Sequence, residues 1–172
     1  REAAVRDIVY QQAAPFTSPK RELAKLSMRY AGIQWGRGDL ALLTEFWWKN
    51  RRFKTWRVQP DVAASAPSVF DEGSSEDRYA DKGSPVMTQG PRGQWVLQTS
   101  PDGEAIYRIG SGASAEGDRP FLDRQRLSDG HSVQHIEHFR QHAVPVRPLL
   151  GQMTHCLDQR ARVTLNKRMQ HA

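Results

Sequence analysis

A chain of 172 residues is long enough for one domain with a genuine core, and the scaling of surface with volume argues against two stable domains. The hydrophobic fraction of 38% lies below that of an ordinary compact globule, so core material is scarce. The single cysteine, Cys156, excludes an intramolecular disulfide framework and a thiolate zinc cluster, and no apolar run is long enough for a transmembrane helix.

The charge balance favours anionic partners. Lys and Arg number 25 against 19 Asp and Glu, which gives a net charge of +6. The lone cysteine indicates a reducing compartment, and a chain that starts at Arg1 rather than Met is compatible with removal of a targeting peptide. Together these features predict a mitochondrial protein, with another reducing intracellular compartment as the alternative.

Three short helices are predicted in the N-terminal part. Residues 2–13 carry apolar side chains at helical spacing, and Pro15 ends that pattern. Ser18 before Pro19 is a typical helix start for a second helix that reaches Ile33. A third helix is expected to begin after Asp39 and to continue to about Asn50, beyond which a helix and a strand fit the sequence equally well.

Residues 42–58 combine tryptophans with five cations in nine residues. An unpaired buried charge is very unfavourable, so this basic aromatic segment is expected to lie between a core and something anionic. Two alternatives compete with nucleic-acid contact: anionic lipid, and neutralisation by the acidic residues that follow in the chain. The predicted anion-contacting residues, including a basic C-terminal helix, are Trp48, Lys49, Arg51, Arg52, Lys54, Trp56, Arg57, Arg160, Arg162, Lys167 and Arg168.

The middle of the chain changes in composition. Residues 59–93 are polar and acidic and are predicted to form an irregular extension. Residues 94–99 and 105–109 flank a Ser-Pro-Asp-Gly-Glu turn, which predicts a β-hairpin over about 94–109. Helices are expected again at about 121–127, at 132–143 and from Leu149 onward.

A stripe of histidines could hold a metal ion if residues 132–143 are helical. Helical spacing of i, i+4, i+7 and i+11 places the imidazoles within one sector, although a solvated face is the simpler interpretation. A nuclease-like acid–base site with Asp129 is a weaker alternative. The candidate metal ligands are His131, His135, His138 and His142.

The fold predicted from these elements is α+β and mostly helical, with five or six short helices, one hairpin and long irregular extensions. Its three parts are an N-terminal helical part over residues 1–58, the acidic extension over residues 59–93, and the hairpin with C-terminal helices over residues 94–172. We expect one core with extensions rather than independent domains.

No motif for catalysis or for a cofactor is evident, so no cofactor and no enzymatic activity are predicted. A thin core, ordered polar extensions and divided charge favour a structural subunit of a large assembly. The leading hypothesis is an RNA-contacting, rRNA-facing component of a mitochondrial ribosome, surrounded by other protein subunits. The alternative is an accessory subunit of a respiratory complex or ATP synthase, with the basic surface on protein or anionic lipid.

Overall fold

The computed structural model describes residues 4–137, with side chains up to residue 132. About half of these residues lie in β-strands, and none of the described residues is helical. The strands are β1 (Asp7–Gln11), β2 (Arg21–Leu26), β3 (Arg29–Trp35), β4 (Ala41–Trp47), β5 (Arg52–Val58), β6 (Ser68–Ser74), β7 (Ser84–Pro85), β8 (Met87–Gln89), β9 (Trp95–Leu97), β10 (Ala105–Gly110), β11 (Ala113–Ser114), β12 (Gly117–Asp118), β13 (Phe121–Arg126) and β14 (Ser132–Glu137).

Two four-stranded antiparallel sheets dominate this part of the chain. Sheet I has the order β3-β4-β5-β6, and sheet II has the order β7-β10-β13-β14. Each sheet is an up-and-down meander, because neighbours in the sheet follow one another along the chain apart from two inserted strand pairs. Those pairs are β8-β9 and β11-β12, and a further pair, β1-β2, precedes sheet I. Successive four-stranded antiparallel sheets are the pattern that β-propeller blades repeat.

Strand β4 is the centre of the packing because it is buried on both faces. Leu42 belongs to a core cluster on one face, which includes Phe70 of β6 and Ile106 of β10. Leu43 belongs to a second cluster on the other face, which includes Leu26 of β2. Sheet I therefore has the β1-β2 pair on one side and residues of β9 and β10 on the other.

A β-bulge in β6 positions the residues that face sheet II. The pairing of β5 with β6 runs from Thr55 with Asp71 directly to Trp56 with Val69, which leaves Phe70 as the extra residue. Phe70 and Asp71 are consecutive and both are buried, whereas Val69 is exposed. Because a bulge interrupts the strict alternation of side chains, one strand presents both an aromatic ring and a carboxylate to the same side.

The predicted helical fold is wrong. The three N-terminal segments predicted as helices form β1, β2, β3 and β4 instead, and β5 shows that the strand alternative was the correct one for residues 52–58. An apolar run buried on both faces of a sheet has no simple alternation, so its periodicity resembles that of a helix. The predicted extension over residues 59–93 contains β6, β7 and β8.

The predicted hairpin is also wrong as a two-stranded unit. Trp95–Leu97 and Ala105–Gly110 are strands, and the chain reverses between them with Gly103 at a φ of 74°. However, β9 pairs with β8 and β10 pairs with β13 and β7, so the two strands belong to different sheets. The two sides of the turn are connected by an isolated bridge between Thr99 and Ile106 and by hydrogen bonds between Ser100 and Ala105.

The helices predicted in the C-terminal part are strands where the structure describes them. Residues 121–126 are strand β13, and residues 132–137 are strand β14. The rest of the helix predicted for residues 132–143 and the helix predicted from Leu149 lie outside the described residues. Within residues 4–137 there is no helix long and apolar enough to cross a membrane.

Candidate functional site

A cleft of about 180 Å³ opens between sheets I and II. Strands β3 to β6 line one side of it, through Gln34, Leu42, Thr44, Thr55 and Phe70. The other side consists of Gly83, Ser84, Pro85 and Arg108. The lining is mixed, with polar side chains beside the apolar Leu42 and Phe70, and a concave site where polar groups converge makes this cleft the candidate site in the described part of the chain.

Arg108 is the charged group of the cleft. Its guanidinium is nearly buried and donates to the Asp71 carboxylate at 2.8 Å and to the Gln125 side-chain oxygen at 2.9 Å. Its Nε and its second terminal nitrogen donate to the Gly83 carbonyl at 3.1 and 2.8 Å. These bonds connect β10 with β6, β13 and the loop before β7, so Arg108 is fixed in orientation as well as in place.

The Asp71 carboxylate is shared by two cations. Besides Arg108, Lys82 donates to it at 2.7 Å, and the Lys82 side chain is partly exposed. A carboxylate as buried as Asp71 is stable only when it is paired and hydrogen-bonded. The three groups together carry a net charge of +1, so the cleft lies beside a positive rather than a neutral cluster.

Hydroxyl groups provide further polarity in the cleft. Thr44 of β4 and Thr55 of β5 are paired across the sheet, and their hydroxyl oxygens lie 3.2 Å apart. Ser84 of β7 lies on the opposite wall. The Gln34 amide nitrogen contacts the Met87 sulfur at 3.9 Å, which is a weak interaction.

A second buried carboxylate, Glu45, lies on the opposite face of sheet I. It accepts hydrogen bonds from the Met28 backbone N–H at 2.6 Å and from the Trp56 indole N–H at 3.0 Å. The Ser27 hydroxyl donates to it at longer distances. These donors satisfy the carboxylate without a cation, so Glu45 serves to connect β4 with β5 and with the β2-β3 turn.

Within the basic aromatic segment, residues 48–51 form the tip of the β4-β5 hairpin. Trp48 is 71% exposed, and the Arg51 guanidinium stacks on it at 3.5 Å from the ring centroid. Arg51 has a positive φ of 58° and pairs with Glu76 at 3.3 Å. Lys49 and Arg52 are exposed at the same tip.

The second half of the segment lies within strand β5. Lys54 pairs with Glu72 of β6 at 3.5 Å and lies over the Trp56 ring. Arg57 donates to the Leu127 carbonyl at 3.2 Å, while its buried Nε has no hydrogen-bond partner within the described residues. The acidic residues that follow the segment in the chain therefore neutralise part of its charge, as the alternative interpretation held.

The structure does not describe the remaining residues that were predicted to contact an anion. Arg160, Arg162, Lys167 and Arg168 lie outside the described residues. Contact between an anion and the exposed cations of the hairpin tip stays a prediction.

The described part of the histidine stripe, up to residue 137, does not have the helical geometry assumed for it. Because residues 132–137 are a strand, residues four apart lie roughly 13 Å apart instead of about one helical turn. His131 is exposed, the side chain of His135 is not described, and His138 and His142 lie outside the described residues. Among the described residues, no group of His, Cys, Asp and Glu side chains is arranged to hold a metal ion.

Of the histidines considered for a nuclease-like site with Asp129, only His131 has a described side chain, and it does not make the required contact. The Asp129 carboxylate accepts a hydrogen bond from the His131 backbone N–H at 2.9 Å, not from its imidazole. His131 is the single histidine among residues 4–132, and no described serine hydroxyl donates to it. Cys156 lies outside the described residues.

Two surface carboxyls have lowered pKa values. For Asp102, hydrogen bonds from the Ser100 hydroxyl and the Glu104 backbone N–H, with Arg124 nearby, lower the pKa. For Asp7, the Tyr30 backbone N–H and the Arg29 guanidinium, each at 2.7 Å, lower the pKa. Asp102 holds the turn before β10 together, Asp7 connects β1 with the start of β3, and neither lines the cleft.

The cleft residues were missed from the sequence. Thr44 was assigned to a helix, Thr55 to a segment left open between helix and strand, and Arg108 to a strand with the wrong partner, so no pattern brought the three together. One signal was available: Arg108 interrupts the apolar run Ala105–Ile109, and an arginine on the inward side of a strand requires a buried partner. Asp71 similarly follows the apolar pair Val69 and Phe70.

The described fold defines an all-β protein of successive antiparallel sheets, and two curated plant proteins are similar to it in sequence. One, from Oryza sativa subsp. japonica, is named a probable glutamyl endopeptidase, chloroplastic, and is 39% identical over 134 residues. The other, from Arabidopsis thaliana, carries the same name and is 38% identical over 135 residues. Each match covers 75% of this chain, which spans 14% of the length of either relative. No protein-family model and no solved structure matches the chain.

These relatives overturn the predicted function. A component of a mitochondrial ribosome and an accessory subunit of a respiratory complex or ATP synthase are both in conflict with relatives named as peptidases. The same names contradict the prediction of no enzymatic activity, and nothing supports RNA binding. The alternative in which the following acidic residues neutralise the basic aromatic segment is supported in part, since Glu72 and Glu76 pair with two of its cations.

The predicted localisation is supported only at the level of an organelle. Both relatives are named as chloroplast proteins, and the mitochondrial assignment stays a prediction.

Proposed function

We propose that this chain is part of a peptidase that acts at glutamyl residues. The observation that carries the proposal is the identity of 39% and 38% to two proteins named as glutamyl endopeptidases, maintained over three quarters of the chain. The net charge of +6 agrees with a protein that attracts acidic polypeptides.

Within this activity, the described residues contribute to contact with the polypeptide. Their side chains include no hydroxyl or thiol paired with an imidazole, which is the usual arrangement for an activated nucleophile. They do provide a polar cleft beside a positive cluster and an exposed, cationic hairpin tip. Both features fit the recognition of a substrate that carries carboxylates.

A cleavage assay tests the activity. The protein is tagged at its own gene, purified at its natural length and incubated with matched peptides that carry Glu, Gln or Lys at one position. We expect mass spectrometry to show cleavage next to Glu with a kcat/KM at least about tenfold above that for Gln, because a site that pairs with a carboxylate loses a charged hydrogen bond to the amide. Absence of cleavage, or equal cleavage of all three peptides, would contradict the proposal.

The compartment is tested separately. We propose an organellar protein, for which the chloroplast names of the relatives give support and the basic composition predicts a mitochondrial location. Fractionation of cells that express the tagged protein is expected to recover it with one of these organelles. Recovery outside both organelles would reject the organellar assignment.

A further inference from the structure

The cleft between sheets I and II contains hydrogen-bond donors that the described protein does not use. An arginine side chain has five N–H groups, and four of those of Arg108 are accounted for by Asp71, Gln125 and Gly83. One N–H of the guanidinium is therefore left for a ligand. Because the other four fix the plane of the group, this donor is held in a defined direction.

The hydroxyl groups add to these donors. In the pair formed by Thr44 and Thr55, one hydroxyl donates to the other, and the acceptor's own hydrogen stays free. Ser84 lies on the opposite wall, where its register partner is Ile109 rather than Arg108. The cleft thus combines one guanidinium N–H from sheet II with one hydroxyl hydrogen from sheet I.

Charge and shape define the complementary ligand. Arg108 and Lys82 share the single charge of Asp71, so the cluster beside the cleft retains a net charge of +1. A carboxylate only accepts hydrogen bonds and carries the opposite charge. The apolar wall formed by Leu42 and Phe70 suits an aliphatic stem. The volume of about 180 Å³ is several times the ~30 Å³ of one water molecule, which leaves room for a carboxylate and its stem.

We propose that this cleft binds a carboxylate on a short aliphatic stem, held by Arg108 and the Thr44–Thr55 pair. The geometry by itself fits a free dicarboxylate and a glutamyl side chain equally, and the choice of a glutamyl side chain rests on the proposed peptidase function. The proposal differs from that function because it assigns the recognition of the carboxylate to particular residues of this chain.

The direct test is a titration of the isotopically labelled 172-residue chain with glutarate at constant ionic strength, followed by ¹H–¹⁵N NMR. We expect a Kd on the order of 1–10 mM for so small a ligand, with shifts concentrated at Gln34, Thr55 and Ser84. Glutaramide, the neutral diamide of the same length, should bind at least about tenfold more weakly because it lacks the charge.

Two variants locate the site. Combining Thr44→Val with Thr55→Val removes both hydroxyls of the pair while keeping the shape of the two side chains, and should weaken glutarate binding at least about fivefold. Ser68→Ala is the matched control, because Ser68 is an exposed serine of β6 away from the cleft, and it should leave the Kd unchanged. Thermal unfolding of all variants shows whether the fold is retained.

The outcomes separate the site from the peptidase activity. Saturable shifts that the double variant abolishes support the site, whereas no shift at about 50 mM glutarate, or shifts unaffected by the double variant, overturn it.

If an acetylated Ala-Glu-Ala amide shifts the same resonances and its Gln counterpart does not, the ligand is a glutamyl side chain. If only glutarate does, it is a free dicarboxylate. Glutarate binding in a protein that does not cleave at Glu removes the peptidase proposal alone, and cleavage without glutarate binding removes the cleft proposal alone.

Discussion

The guanidinium of Arg108 and the carboxylate of Asp71 meet at 2.8 Å across the boundary between the two four-stranded sheets. Arg108 comes from the first long strand of sheet II, and Asp71 comes from the bulged strand of sheet I. The pair thereby fixes the relative position of the two walls of the cleft. Its strength determines whether the cleft keeps its shape.

Replacing Asp71 by asparagine should destabilise the protein strongly. The change leaves Arg108 buried without its counter-charge, which typically costs about 3 kcal/mol. Urea unfolding followed by circular dichroism measures the loss. The matched control is Asp118→Asn, because Asp118 is exposed and lies 3.9 Å from Arg78, and that change should cost less than about 0.5 kcal/mol. Equal losses in the two variants would show that the buried pair has no special role.

Leu43→Ala tests the assignment of β4 as a strand buried on both faces. Removing a fully buried leucine leaves a cavity in the cluster with Ala24 and Leu26, at an expected cost of about 3 kcal/mol. Val69→Ala is the control, since Val69 is 51% exposed and its truncation should cost less than about 0.5 kcal/mol. A small effect at Leu43 would contradict the second core.

Gly83→Ala should disturb the cleft more than the same change at Gly93. Both glycines have positive φ, 75° and 79°, so an added Cβ strains each backbone by about 1 kcal/mol. At Gly83 the Cβ would also lie 2.3 Å from the Ile109 carbonyl oxygen, whereas at Gly93 no atom lies within 4 Å. The clash should add about 1–3 kcal/mol at Gly83, measured by urea unfolding. Equal losses for the two substitutions would be inconsistent with the close approach of β7 to β10.

Asp102 should make stability depend on acid pH. Its folded-state pKa lies below the ordinary value of 3.8, chiefly because the Ser100 hydroxyl and the Glu104 backbone N–H donate to the carboxylate. A lowered pKa means that the stabilisation is complete above 3.8 and is lost as the pH falls through the folded-state value. We therefore expect the Tm difference between the native chain and Asp102→Asn to be largest at neutral pH and to vanish in acid.

A variant of Arg124 distinguishes the hydrogen bonds that lower the pKa of Asp102 from the charge that also lowers it. Arg124→Gln removes the weaker contribution and keeps both hydrogen bonds that dominate, so its acid dependence should stay close to that of the native chain. Differential scanning calorimetry from about pH 7 to pH 2 measures these curves. A constant offset between the Asp102→Asn and native curves at every pH would disprove the role of Asp102.

Local signals in the sequence predicted some features of the fold and not others. The Asp-Gly pair before Glu104 predicted a chain reversal, and a reversal occurs there, because positive φ at Gly103 is a local property. The sheet to which each strand belongs is decided by distant partners, so Trp95–Leu97 and Ala105–Gly110 were paired incorrectly. Leucine and alanine in β4 favour a helix locally, and only burial on both faces overrides that preference.

The candidate site could not be predicted for a related reason. Thr44 and Thr55 belong to neighbouring strands, whereas Ser84 and Arg108 come from a different sheet, and no sequence spacing encodes their meeting. The acidic residues were recognised as competitors for the cations of the basic aromatic segment, and Glu72 and Glu76 do pair with Lys54 and Arg51. Proximity in the chain made that relationship visible, because β5 and β6 are adjacent in both sequence and sheet.

The position of β4 between the two core clusters also bears on how this part of the chain unfolds. Leu42 and Leu43 are consecutive residues, so one cluster cannot separate from the strand without disturbing the backbone that carries the other. Hydrogen exchange should therefore show the amides of β2, β4 and β10 opening together, with a common free energy. A ligand that binds in the cleft on one face of sheet I would then slow exchange on the opposite face, in residues it never touches.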